Sequence, residues 1–251
     1  MVKLDKIGVQ LYTIRDFLGT EEDVKRSFEK LKKLGYDEAQ TAGCKIPYAD
    51  FGKLAKEAGI TIVGTHDDFG MMVENPEQAM ANHDLLGTKI MGIGGFFEHT
   101  REKYDEFIAK ANIVAKNIKA RGFKFTYHNH SHEFRKVDGK LIMDLLIEGM
   151  DPDNTGFVLD TYWVQHGGGD VRFWIEKLAG RVDILHLKAM GRNDQGPFIT
   201  EIGNDNMNWA GMLESAEKAG VKYFVVEQDI WPGDPFDSIK QSSEYLHKNF
   251  M

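Results

Sequence analysis

One cysteine, Cys44, rules out an intramolecular disulfide, and no neighbour in the sequence equips that thiol as a nucleophile, so it reads as a small packing residue. Long apolar runs are missing too. No stretch approaches the roughly 18 consecutive apolar residues of a membrane span, and the opening MVKLDKIGVQ lacks the apolar core of a secretory signal. A soluble, cytoplasmic protein without a membrane partner is the expectation. A basic surplus is also lacking: 31 Lys and Arg stand against 39 Asp and Glu, a net charge of −8. That balance disfavours nucleic acid, whose phosphates need cationic neutralisation. The glycine triplet Gly167 to Gly169 lacks the spacing of a dinucleotide loop, so no such cofactor is assigned. With no linker or low-complexity tract and 42% hydrophobic residues, residues 1–251 read as one domain with a full core.

What is present is a repeat. The segments KKLGYDEAQ, KEAGITIVGTH, DLLGTKIMGIG, KARGFKFTYHNH, DNTGFVLD, KLAGRVDILHLK and EKAGVKYFVVEQ share one plan, with Gly35, Gly59, Gly87, Gly122, Gly156, Gly180 and Gly220 just before an apolar run. Glycine there fits a helix C-cap in the left-handed region, after which the chain turns into a strand. The glycines are 24 to 40 residues apart, room for a strand, a loop, a helix and a return. With the first apolar run, Ile7 to Tyr12, the units number eight, the count and length of a single-domain (β/α)8 TIM barrel. A doubly wound open sheet has the same alternation, because periodicity does not count closure.

The last four runs close in His128, Asp160, His186 and Glu227, where a parallel barrel carries its chemistry. In FKFTYHNHSHEF, period two puts His128 and His130 on one face of a strand that dissolves into His128, Asn129, His130, His132 and Glu133. So many polar groups together need partners or a metal. Asp160 ends GFVLD either as a ligand or as the cap of the next helix. In VDILHLK, Lys188 lies beyond His186 on the same side. Glu227 tips an apolar strand, where a carboxylate requires a cation. Two His and two carboxylates suit Mn²⁺, Co²⁺, Mg²⁺ or Zn²⁺ without deciding among them.

These segments carry a resemblance. GVQLYTIRD, YHNHSHEF, VLDTYW, ILHLK, the stretch from Gly203 to Trp209 and VVEQD run in order from Ile7 to about Asp229 and resemble the xylose isomerase-like barrel superfamily. More closely, the chain is similar to its sugar phosphate isomerase/epimerase branch, which also holds ketose 3-epimerases, inosose dehydratases and 3-keto-glycoside lyases. The resemblance implies one divalent ion held by a Glu, an Asp, a His and a Glu on the last four strands. Asp160, His186 and Glu227 match the last three, and His128 stands where the first Glu is the rule. It further implies a keto sugar or related polyol as substrate and proton transfer next to a carbonyl, with Glu227 and Glu133 moving the proton. His130 or Lys188 is the alternative acid or base, both types being tunable toward neutral pH by burial or nearby charge. One base on one face suits β-elimination as well as epimerisation, so a lyase is the alternative.

Weaker candidates surround this set. His66, closing IVGTHDDF, is a substrate contact or a hydrogen-bonded rim residue. Arg192, six residues after His186, is where the resemblance implies a cation gripping substrate hydroxyls, or else a solvated loop residue. Trp163 and Trp231 are a wall against a sugar face or ordinary packing. Gln10 and Tyr12 share a face of the first strand and line the mouth, and Met71 and Met72 lie in a long loop that acts as a lid or simply packs. An unphosphorylated substrate is favoured, since no phosphate-cradling glycine loop occurs in the last two units. A homodimer is compatible with the barrel. Two readings of other classes remain: an abasic-site DNA endonuclease, which shares the barrel but uses a richer metal cluster, and a metal-free binding homologue.

Overall fold

The computed structural model describes residues 2–251. Among them an eight-stranded parallel sheet is formed by β1 (Gly8–Gln10), β2 (Glu38–Ala42), β3 (Thr61–His66), β4 (Ile90–Ile93), β5 (Lys124–His128), β6 (Thr155–Asp160), β7 (Val182–Leu187) and β8 (Tyr223–Val226), in the order β3-β2-β1-β8-β7-β6-β5-β4. Closure falls between β3 and β4, where the Asp67 N–H donates to the Gly92 carbonyl at 2.8 Å and the Gly92 N–H to Thr65 Oγ1 at 3.3 Å. The main sheet therefore closes into a (β/α)8 barrel and is not a doubly wound sheet.

Helices cover the outside because their apolar stripes have only the sheet to pack on. The helix Glu21–Lys33 shows the local logic: Thr20 caps it by accepting the Asp23 N–H, acidic residues fill the first turn, lysines fill the last, and Val24, Phe28 and Leu31 face inward. Gly35, Gly59, Gly87, Gly122, Gly180 and Gly220 follow their helices with φ between 70° and 86°, the C-cap geometry expected of them. Gly156 is a correction. It lies inside β6, preceded by the helix Ile142–Gly149 and a turn, and a Cβ there would meet the Arg181 carbonyl at 2.9 Å. The first strand is also shorter than Ile7 to Tyr12. It stops at Gln10, whose side chain accepts the Tyr12 N–H and turns the chain into the 3-10 helix Leu11–Phe17. Met71 and Met72 belong to the short helix Phe69–Glu74, Met72 buried and Met71 half exposed.

Period two along the strands builds the barrel in layers. Val158, Ile184 and Val225 pack together in the lumen. Each stands two residues before Asp160, His186 or Glu227, so the polar ring rests directly on an apolar floor. Burying each floor side chain contributes about 1.5–3 kcal/mol. The intervening Leu159, Leu185 and Val226 face the helices and join the larger core. No helix among the described residues is long and apolar enough to cross a membrane.

Candidate metal centre and cleft

Four strands deliver the ring. His128, Asp160 and His186 end or nearly end β5, β6 and β7, and Glu227 follows β8 directly, its N–H donating to the Leu187 carbonyl at 3.2 Å. All four are buried, and one ligand atom from each lies within 4.8 Å of the others. His128 Nε2 is 3.5 Å from Asp160 Oδ2, and His186 Nδ1 is 3.7 Å from that oxygen and 2.9 Å from Glu227 Oε2.

The remaining polar atoms of these residues are occupied elsewhere. Asp160 Oδ1 accepts the Trp163 N–H at 2.8 Å, so this residue is a helix cap with one oxygen while the other faces the ring. His128 Nδ1 sits 3.3 Å from the Gly94 carbonyl and His186 Nε2 2.6 Å from Gln40 Oε1, contacts that make those nitrogens donors. His128 Nε2, Asp160 Oδ2 and His186 Nδ1 are left buried without a hydrogen-bond partner. These three atoms make no well-formed hydrogen bond and converge with the Glu227 carboxylate, 2.9 Å from His186 Nδ1, on one point, an arrangement that fits a divalent cation. Mixed nitrogen and oxygen donors do not select the metal.

Lys188 extends the ring upward. Its Nζ is 2.6 Å from Asp229 Oδ2, 3.3 Å from Glu227 Oε2 and 3.6 Å from Asp160 Oδ2, and it lies 4.9 Å over the Trp163 ring. Burial lowers its pKa, but Glu227, Asp160 and Asp229 outweigh burial and hold it above the ordinary lysine range. Lys188 is thus a fixed cation. Burial raises Glu227, yet Lys188 and His186 overcome that and keep it well below the usual carboxylate range. For His186 without a cation, burial is overridden by Glu227 and Asp160, which lift it to about 9 and place a proton on Nδ1 that a bound cation would displace. His66 and His130 go the other way: burial and the nearby His128 push both down, His130 to about 3, so they are neutral imidazoles.

Above the ring opens a cleft of about 390 Å³ lined by Tyr12, Ala42, His66, Asp67, Gly94, His128, His130, Lys188, Glu227 and Asp229, a volume suited to a small molecule. Tyr12 reaches it from the 3-10 helix rather than from β1, and Arg15 stacks on both Tyr12 and Trp231 at the rim. Gln10 is buried below, 3.4 Å from His66 Nδ1. Trp163 packs 5.3 Å from His130. Two candidates lie apart from the cleft. Arg192 is exposed on the antiparallel hairpin Ala189–Asn193/Gly196–Thr200. Glu133 is fully buried behind β5, accepting from Tyr127 OH at 2.6 Å and from the His130 N–H at 2.8 Å. Tyr127 points to the helix side of β5, opposite His128, so the Glu133 carboxylate is sealed from the cleft and braces the loop that carries His130. Cys44 is half-buried, and burial with Asp67 nearby raises its thiol to about 12, which keeps it inert.

Sequence reasoning did not single out Gln40, Asp67 or Asp229. Period two run past Val225 and Glu227 reaches Asp229, a usable signal, whereas Gln40 in EAQTA carries none.

These features define the class: a (β/α)8 barrel with a buried His/Asp/Glu group at the C-terminal mouth of its strands. The chain belongs to the xylose isomerase-like TIM barrel family, whose model matches residues 28–249. A sugar phosphate isomerase/epimerase from Parabacteroides distasonis superposes with a TM-score of 0.83 at 24% identity, over 99% of this chain and 95% of its own. An L-ribulose 3-epimerase superposes with a TM-score of 0.73 at 16% identity, over 99% and 94%. In sequence, an inosose dehydratase from Mesomycoplasma hyopneumoniae is 22% identical over 166 residues, 59% of this chain and 55% of the relative. The chain thus matches little more than half the length of that curated relative.

Proposed function

We propose that this protein is a divalent-metal-dependent isomerase or epimerase of a keto sugar or related polyol. The observation that carries the reading is the convergence of the unpartnered His128 Nε2, Asp160 Oδ2 and His186 Nδ1 with Glu227 beneath the cleft. A divalent ion held by these four residues supplies Lewis acidity for a substrate carbonyl. Glu227, ionised and lining the cleft, takes the proton from the adjacent carbon. Lys188 keeps its proton and donates hydrogen bonds to substrate oxygens, a use its raised pKa supports better than that of a base. His130 and His66, both neutral, contact the sugar, and Trp163 backs the Lys188 ammonium.

A second reading, elimination of water from a keto sugar or inosose, is favoured by one observation: Glu133, the candidate second base, is sealed from the cleft, while the other cleft carboxylates are engaged, Asp67 by Tyr48 and Asp229 by Lys188. Elimination needs a base on one side only. Inosose dehydratase is also the name of the curated relative.

The test begins with metal content. Protein purified without chelators is expected to carry about one divalent ion per chain, lost in Asp160→Ala and Glu227→Ala. Incubation of the loaded protein with a panel of ketoses and inososes in deuterated water then reports the chemistry. Deuterium uptake with appearance of an epimer or isomer supports the first reading, and loss of water with a new carbonyl absorbance the second. A chain that takes up no Mn, Co, Mg or Zn sinks both.

A further inference from the structure

Gln40 and His186 are each fully buried, and their side chains meet across the top of the lumen with His186 Nε2 only 2.6 Å from Gln40 Oε1. The amide is oriented by its other end. Gln40 Nε2 points at the Thr65 carbonyl at 3.5 Å, and turning the amide over would set its oxygen against that carbonyl, two acceptors face to face. The imidazole nitrogen next to Oε1 is therefore the one that carries hydrogen. Backbone irregularity aims the side chain: the register between β2 and β3 shifts between Ala39 and Gln40, so Gln40 pairs with Gly64 instead of following Ala39 and Ile62 in step.

A contrasting pair sits one strand away. Gln10 on β1 approaches His66 Nδ1 at 3.4 Å, but its Oε1 already accepts the Tyr12 N–H, so here the amide donates and His66 Nδ1 accepts. Two glutamines on adjacent strands thus present opposite ends to two histidines. Only the Gln40 arrangement leaves Nδ1 of its partner free to accept, and His186 Nδ1 is among the three orphaned atoms of the ring.

From this geometry, and resting on the metal reading above, we infer that Gln40 is a positioning residue for the cation: it holds His186 with hydrogen on Nε2 and commits Nδ1 to the metal. A buried acceptor behind a ligating imidazole fixes both its tautomer and its ring plane, and loss of such a partner typically weakens metal binding about 10–100-fold. Leucine at position 40 removes the acceptor, whereas glutamate keeps it toward His186 Nε2 at the cost of setting its second oxygen against the Thr65 carbonyl.

The experiment uses cadmium alone as the probe. Competition with a chromophoric chelator gives the affinity of wild type, Gln40→Leu and Gln40→Glu, with circular dichroism confirming that each variant is folded. Leucine is expected to weaken binding about 10–100-fold and glutamate to keep it within a few-fold of wild type. Independently of any variant, cadmium NMR on wild type with isotope-labelled histidine is expected to show metal coupling to His186 Nδ1. Coupling to Nε2, or a folded leucine variant that binds as tightly as wild type, overturns the role of Gln40 and leaves the metal reading standing. A wild type that takes up neither cadmium nor any of Mn, Co, Mg and Zn removes the metal reading and this role together.

Discussion

Glu133 is the residue whose chemistry is most tightly set by its surroundings. Burial raises its pKa to about 7 against the opposing hydrogen bonds from Tyr127 and the His130 N–H, while an unfolded glutamate titrates near 4.5. The folded protein holds this proton where the unfolded chain has released it, so stability falls as pH rises from about 4.5 to about 7 and is level beyond. A shift of this size corresponds to about 3 kcal/mol. Glu133→Gln cannot ionise, and urea unfolding is expected to show the variant gaining about 3 kcal/mol on wild type across that window. Parallel stability curves would show that the carboxylate titrates in the folded protein as it does in the unfolded chain. The sequence reveals the chemistry of this residue but not its direction, because the 3-10 helix His132–Phe134 breaks the period-two pattern that places His128 and His130. His128, Asp160, His186 and Glu227 are legible for the opposite reason, each standing at the end of a regular run. Gln40 is illegible: its role depends on a partner 146 positions away.

At the scale of the elements, strand count follows from the glycine-punctuated repeat, but spatial order, strand ends and closure do not. β1 ends early because a side chain, Gln10, caps the next turn, and Gly156 serves a strand because the Arg181 carbonyl approaches it. Gly92 marks the closing seam. A Cβ there would lie 2.4 Å from the Thr65 carbonyl oxygen and 2.7 Å from Thr126 Oγ1, atoms of the two strands beside β4. Gly87 differs: its Cβ would meet nothing within 4 Å, and only its φ of 77° disfavours a side chain. Gly87→Ala is expected to cost about 1 kcal/mol from backbone strain. Gly92→Ala should cost roughly 2–3 kcal/mol, since backbone cannot move aside as a flexible side chain does. Chemical denaturation of both variants checks the order, and a Gly92→Ala protein as stable as Gly87→Ala would mean that the seam is loose.

For the whole molecule, the polar ring ties together neighbouring strands that sequence separates by about a hundred residues, from His128 to Glu227. A cation held by these four residues binds the folded chain and not the unfolded one, because the ligands meet only when β5 to β8 are in register. Mass action then makes metal a stabiliser of the entire barrel, worth about 2.7 kcal/mol at a hundredfold excess over the dissociation constant. For a chain of this size that is a rise in Tm of roughly 5–10 °C. Thermal unfolding after chelation and after adding back Mn, Co, Mg or Zn is expected to show the rise in wild type and to lose it in Asp160→Ala. Arg192→Ala, an exposed change on the hairpin, should keep it. The comparison separates a specific centre from loose association with the acidic surface, which Arg192→Ala and Asp160→Ala would retain alike. A rise that persists in Asp160→Ala would place the cation elsewhere on the molecule, and no rise with any of the four ions would leave the ring as a structural network of hydrogen bonds.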